Sequence, residues 1–314
     1  MVIIQNERQP FENGAVITIG NFDGVHLGHR ALMQKTVDKA RKMGVPSLVW
    51  TFTKHPQAVF DPSFKYLISD EDKKKAIAEC GLDYYFAEDF DRVKDMSPED
   101  FVARVLVEQF NVKHLVCGYD FTFGKGGVGT PKQLGDILAG YGVGITVMPA
   151  VTVDGERVSS TSLRALIAEG SMEKAASFLG RLYSFKQTVT EGLRIGRFLG
   201  SPTINQAMAE DKALPSFGVY AVFCDVRGTV YGGVANIGVR PTITGGRTKP
   251  TCETHIFDFD GTLYGEKVRV YLYKKLRAEL KFGDLSALSQ QIVKDSLNAK
   301  KTLEGVEAPK GETL

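Results

Sequence analysis

The feature that most limits what this chain can fold into is a change of hydrophobic period near Arg181. Before it, short apolar runs at 15–19, 47–53, 84–87, 114–118 and 144–148 alternate with helical stretches at 70–80, 98–110 and 131–141. Strands alternating with helices predict a doubly wound parallel sheet. After it, period-2 runs at 184–190, 218–226, 230–237, 252–257 and 268–272 are separated by Gly-rich turns, which predicts an antiparallel β-barrel. A terminal helix is expected from Asp284 to about residue 300, with Leu288, Ile292 and Leu297 on one face, and a polar, frayed tail from Glu304. The expected organisation is therefore α/β, with one domain over 1–182, a barrel domain over 183–303 and a tail over 304–314. With 314 residues, 43% of them hydrophobic, both domains can bury real cores.

Charge and cysteine usage exclude several classes. Residues 1–182 carry 21 basic and 23 acidic residues and residues 183–314 carry 18 and 14, so neither half has the basic excess of a dedicated nucleic-acid binder. No run approaches the ~18 apolar residues of a membrane span, and the N-terminus lacks the basic and apolar regions of a signal peptide. A soluble, cytoplasmic chain is expected, with neither nucleic acid nor membrane as partner. Cys80, Cys117, Cys224 and Cys252 show neither Cys-x-x-Cys pairing nor zinc-ligand spacing and read as reduced core thiols.

Chemistry concentrates first at residues 20–29, Gly-Asn-Phe-Asp-Gly-Val-His-Leu-Gly-His. The apolar run 15–19 precedes this stretch; Met33, Val37 and Ala40 follow at helical spacing until Gly44. The segment thus opens a βα unit. Gly20, Gly24 and Gly28 allow close backbone approach, the first amides of the helix favour an anion, and His26 and His29 stand where they can donate to phosphate oxygens. Three further segments belong with it. Thr51-Phe-Thr-Lys-His55-Pro56 and Gly118-Tyr-Asp120-Phe121-Thr-Phe-Gly124 each follow a strand at its C-terminal end, the ligand edge of an open α/β sheet. Val158-Ser-Ser160-Thr161-Ser-Leu-Arg164 opens a helix with hydroxyls and sets an arginine one turn on. Taken alone, these segments read equally as βα loops, aromatic loop packing and N-caps. In the second half, Thr203 and Asn205 are two residues apart and so share one side of an extended chain. Both supply oxygens suited to Mg²⁺, although a turn explains them as well. Glu253 alone reads as a solvated strand residue.

Together these motifs resemble the bacterial bifunctional riboflavin kinase/FAD synthetases. The segment 20–29 is similar to the His-x-Gly-His signature of nucleotidyltransferases, 51–56 to a flavin loop in which Lys54 here replaces a proline, and 158–164 to an Ile-Ser-Ser-Thr-x-Ile-Arg motif. In the second half, Gly218–Val222, Gly233–Thr242, Glu253–Phe259, Leu263–Gly265 and Leu276–Phe282 resemble riboflavin kinase motifs in order and spacing. The resemblance implies a Rossmann-like nucleotidyltransferase domain that adenylylates FMN to FAD and a barrel that phosphorylates riboflavin, with Mg²⁺-ATP, riboflavin, FMN and FAD as cofactor, substrates and products.

It assigns His26, His29 and Glu253 to catalysis. Gly20, Asn21, Phe22, Gly28, Ser160, Thr161 and Arg164 are assigned to the nucleotide; Asp23, His55, Pro56, Asp120, Phe121 and Arg277 to the flavin; Thr203 and Asn205 to the metal. Glu253 would accept the ribityl proton. The kinase signature departs from the family's Gly-Phe-Pro-Thr-Ala-Asn at Ser201 and Ile204. A single-function FAD synthetase with a flavin-holding or regulatory barrel therefore stands as the alternative. The expected assembly is a monomer or weak homo-oligomer.

Overall fold

A computed structural model describes residues 1–4, 11–191, 202–239 and 249–312. The motif positions 196–201, including Ser201, and 240–242 lie outside the described residues. Backbone contacts divide the chain into two units, 1–160 and 161–314.

The first unit is a six-stranded parallel sheet in the order β1-β4-β3-β2-β5-β6. Its strands are β1 (Val2–Ile4), β2 (Ala15–Ile19), β3 (Ser47–Phe52), β4 (Tyr84–Glu88), β5 (Val112–Gly118) and β6 (Gly144–Met148). All five residues of β2 are buried, because helices cover both faces. Ile17 and Ile19 pack with Trp50, Phe86, Phe101 and Val105 on one side. Val49 and Tyr85 pack with Met33, Val37 and Ile77 on the other. The chain order runs outward from β2 through β3 to β4, then resumes at β5 on the other side of β2. The loops after β2 and β5 therefore leave the sheet at a topological switch point, where open α/β sheets bind ligands.

Helices follow the sequence signals. They are α1 (Leu27–Met43), α2 (Pro56–Phe60), α3 (Asp70–Ala78), α4 (Phe90–Val93), α5 (Pro98–Asp100, continued with wider π-type turns over Phe101–Gln109) and α6 (Pro131–Ala139). Gly44, at φ 66°, closes α1 in the left-handed conformation that glycine adopts without strain. His114 is buried on β5, its Nε2 2.8 Å from the Thr146 hydroxyl.

The first unit also holds a short antiparallel pair, β7 (Thr152–Val153) with β8 (Glu156–Arg157), outside its parallel sheet. The second unit begins at Thr161, within α7 (Ser160–Glu169), and continues into α8 (Met172–Leu179). Strands β9 (Tyr183–Thr190), β10 (Ile204–Ala207), β11 (Gly218–Val226), β12 (Thr229–Val239), β13 (Pro250–Ile256) and β14 (Lys267–Arg277) close a barrel in the order β10-β13-β12-β11-β14-β9. Tyr220, Val222, Cys224, Cys252, Val268, Val270 and Leu272 are fully or almost fully buried. Gln206 crosses among them, its amide donating to the carbonyls of Gln187 at 2.7 Å and Val268 at 2.8 Å. Burial pushes the Cys252 thiol up to about 12, and all four cysteines are free, as their spacing suggested.

Two expectations need correction. The terminal helix α9 (Leu285–Leu303) is capped by Asp284 as expected, but its inner face is Asp295, Ala299 and Leu303, with Leu288 and Ile292 half-buried; Leu297 is 64% exposed. The stripe turns this way because Asp295 is drawn inward by a two-pronged ion pair with Arg277, at 2.6–3.1 Å. The tail is also not frayed. Glu312 meets Lys186 at 2.7 Å and Arg269 at 3.0 Å, and its amide donates to Asp225. Lys186, Arg269 and Asp225 lie opposite one another on β9, β14 and β11, so they share one face and form a charged seat for it. Composition hid this, since a polar tail is held by ion pairs rather than by apolar burial.

Arg269 is itself buried, so Glu312→Ala leaves a buried cation short of its partner and should cost about 1–3 kcal/mol, read as a lower urea midpoint with an unchanged slope. An unchanged midpoint would show that the tail contributes nothing. The second prediction concerns pH. Burial, with Lys39 and Lys35 nearby, lowers His114 from 6.5 to about 4, so its neutral form is the one the fold holds. That stability is present above pH 6.5 and is lost as pH falls towards 4, on the order of 1–3 kcal/mol. His114→Gln should flatten the acid limb of a stability-against-pH curve; an identical limb would contradict it.

Candidate active sites

The loop between β2 and α1 has an unusual backbone. Phe22, Gly24 and Val25 have φ of 52°, 82° and 43°, a left-handed conformation that bulky and β-branched residues adopt only when their surroundings enforce it. The enforcement comes largely from Asp23. Its buried carboxylate accepts the Leu67 N–H at 3.0 and 3.2 Å, and its carbonyl accepts the Ser160 hydroxyl at 3.0 Å. The Phe22 ring folds over Gly20, where a Cβ would stand 3.1 Å from it. Asn21 remains exposed at the loop's outer surface.

His26 caps α1, its Nδ1 accepting the His29 N–H at 3.3 Å. That bond uses the lone pair of Nδ1 and sets the orientation of the ring at the start of the helix. The rings of His26 and His29 stack at 3.5 Å and 18°, and the Phe22 ring meets His29 edge-on at 5.2 Å. Gly28 makes the stack fit, since a Cβ there would come within 3.1 Å of the His26 ring. The two imidazoles expected to face phosphate are therefore brought together at the N-terminal turn of a 17-residue helix.

The loop after β3 supplies an aromatic rim. His55 caps α2 through Nδ1, with Pro56 in the first turn, and stacks on Phe64 at 4.3 Å; Phe64 meets Tyr66 edge-on. Phe90 stands between Phe52 and Phe60, and Phe60 is 72% exposed. Such an edge suits a flat, largely apolar ring. After β5, Asp120 pairs with Arg157 at 2.7 Å, Arg157 lies over the Tyr119 ring at 4.9 Å, and Phe121 stacks on Phe123. Ser160 begins α7, with Thr161 exposed and Arg164 half-buried further along the helix.

Two residues here escaped the sequence reading. Arg157 lies just before the Ser-Ser-Thr segment, on a short hairpin with no apolar pattern to mark it. Lys73 was hidden in the run Lys73-Lys74-Lys75, although its spacing to the buried Ala76 and Ile77 marks it as the inward-turning lysine.

In the barrel, Asn205 of β10 stands opposite Glu253 of β13, and Glu253 stands opposite Asn236 of β12. Directly opposed residues share a face, so the three form a polar row. The row continues to Val219 of β11 and Arg277 of β14. Arg277 is held by Asp295 and donates to the Ala278 carbonyl at 2.8 Å. His255 bonds the Pro202 carbonyl at 2.9 Å through Nδ1, fixing the approach to Thr203. Alternation turns Ile204 to the opposite face, where it faces the buried Thr254. The branched side chain therefore does not crowd Asn205.

The donor set suits magnesium bound with its nucleotide. Thr203 and Asn205 offer neutral oxygens, and no group of three or more His, Cys, Asp or Glu that could cage a metal occurs among the described residues. Mg²⁺ characteristically takes few protein ligands and keeps phosphate oxygens and water.

Comparison with known proteins finds two family matches along the chain. The FAD synthetase family profile matches residues 8–162 and the Riboflavin kinase profile residues 179–303. The chain is 37% identical to the Bifunctional riboflavin kinase/FMN adenylyltransferase of Bacillus subtilis over 91% of both chains. It is 38% identical to the protein of that name from Escherichia coli K12 over 95% of both. A crystal structure of a Macrolide-efflux Protein from Streptococcus pneumoniae matches with a TM-score of 0.85 and 25% identity, covering 98% of this chain and 100% of that one. Among the described residues, no helix is long and apolar enough to cross a membrane. Two successive family matches, and relatives aligned along nearly their whole length, make this chain a member of the bifunctional riboflavin kinase/FMN adenylyltransferase family.

Proposed function

We propose that the chain converts riboflavin to FAD in two ATP-dependent steps, each with its own site. The observation that carries this reading is the presence of two separate polar constellations, the stacked histidines on a capped helix and the Asn205–Glu253–Asn236 row on a barrel face. We assign the first step to residues 183–303 and the second to 1–182.

In the first step, the Glu253 carboxylate accepts the proton of the ribityl hydroxyl as that oxygen attacks the γ-phosphorus of ATP; ADP leaves and FMN forms. Thr203 and Asn205 hold the magnesium and the ATP phosphates, and Arg277 supports the flavin side of the same face. Magnesium supplies charge neutralisation on the phosphates.

In the second step, a phosphate oxygen of FMN attacks the α-phosphorus of a second ATP, and pyrophosphate leaves. FMN phosphate is already ionised near neutral pH, so this step needs no general base. His26, His29 and Arg164 stabilise charge on the phosphate oxygens together with the amides of α1; Gly20, Asn21, Phe22, Gly28, Ser160 and Thr161 shape the nucleotide site. Asp23, His55, Pro56, Asp120 and Phe121 shape the flavin site. The same reading makes the chain a cytoplasmic monomer or weak homo-oligomer whose partners are small molecules.

Variants separate the two activities. His29→Ala should abolish FAD formation from FMN, and His26→Asn, which keeps a capping side chain, should lower it, while riboflavin phosphorylation stays near wild type. Glu253→Gln should do the reverse, lowering riboflavin phosphorylation by about 10²-fold or more with ATP binding little changed. Loss of both activities in a folded His29→Ala chain would contradict two sites. Wild-type phosphorylation by Glu253→Gln would remove the assigned base.

A further inference from the structure

The phosphate loop contains a charge of the wrong sign. Asp23 is a buried carboxylate in the loop that is to receive two phosphate-bearing ligands, and an uncompensated anion there would repel them. The cation that the fold brings to it is Lys73. This residue lies on the inner side of α3, whereas its neighbour Lys74 turns to an ion pair with Asp70 at 2.7 Å.

Lys73 is tied to the loop by two bonds in series. Its Nζ donates to the Thr51 hydroxyl at 2.8 Å, and that hydroxyl donates to the Asn21 carbonyl at 3.2 Å. Thr51, the middle member of this relay, is fully buried near the end of β3. Asn21 immediately precedes the left-handed stretch, and Asp23 lies inside it. Burial lowers the Lys73 ammonium to about 8, and the attraction of Asp23 and Asp70 opposes that loss of charge. A lysine required only for packing would gain by being apolar at such a place.

We propose that Lys73 is a positioning residue for adenylyl transfer: through Thr51 it fixes the carbonyl at the entrance of the phosphate loop, and it offsets the buried charge of Asp23 so that negative charge developing on the phosphates during transfer is not opposed. It acts through the loop and touches no substrate. The inference rests on the adenylyltransferase reading of this site.

The test uses the full chain, with FAD formation from FMN and Mg-ATP as one readout and riboflavin phosphorylation, carried out in the other unit, as the second. Lys73→Met should lower kcat for FAD formation roughly 10- to 100-fold, the scale of a lost charged hydrogen bond, with smaller changes in KM and unchanged riboflavin phosphorylation. Lys73→Arg keeps the charge and the donors and should recover most of the loss. Wild-type kcat in Lys73→Met would overturn the proposal. So would a parallel fall of both activities, the mark of a lysine that serves only the fold, or a Lys73→Arg chain no better than Lys73→Met. A wild-type chain that makes no FAD from FMN would overturn the adenylyltransferase reading itself, and this inference with it.

Discussion

The first site depends on how one buried carboxylate is used. Asp23 carries two roles at once: its side chain accepts from Leu67, and its carbonyl receives the hydroxyl that starts α7. These bonds tie two distant stretches of chain, at Leu67 and Ser160, to a backbone that prefers other conformations. The strain at Phe22 and Val25 is offset by this anchoring, and it directs the first turn of α1 and its two imidazoles towards a common place. A pre-set loop of this kind suits phosphoryl chemistry, in which positioning and fixed charge supply most of the acceleration and little covalent work is asked of the protein.

The barrel reaches its site by other means. Its polar row is a consequence of register, since a shift of one residue on β13 would turn Glu253 into the barrel and bring Cys252 or Thr254 to the face. Register is pinned within the barrel by Gln206, which donates to two carbonyls. Outside it, the Arg277–Asp295 pair joins β14 to α9, and the Glu312 seat joins the tail to three strands. A barrel held at several points keeps the row aligned without requiring any one contact to be strong.

Much of this was legible in the sequence because it is periodic. The fully apolar β2 run, the Gly44 stop and the Asp284 cap each carry a local signal that the structure follows. The stacked histidines were foreseeable as neighbours on one turn. What was not legible depends on partners distant in sequence. β1 is an edge strand of three residues, too short for a pattern. Leu297 is exposed because Asp295, an unpromising core residue, finds Arg277 18 residues away. The tail is seated because charges on three strands line up only after the barrel closes, and Lys73 differs from its two neighbouring lysines only in the direction its side chain takes. Ion pairs and relays of this type leave almost no trace in hydrophobic pattern.

The central claim is that two different phosphorus atoms of ATP are used in succession. Riboflavin and Mg-ATP labelled at either the γ- or the α-phosphorus, with chromatographic separation of the flavins over time, tests it directly. The account predicts γ-label in FMN that persists into FAD, and α-label in FAD but never in FMN. FAD formed from supplied FMN, with no γ-label entering any flavin from riboflavin, would contradict it and leave the barrel without a catalytic role.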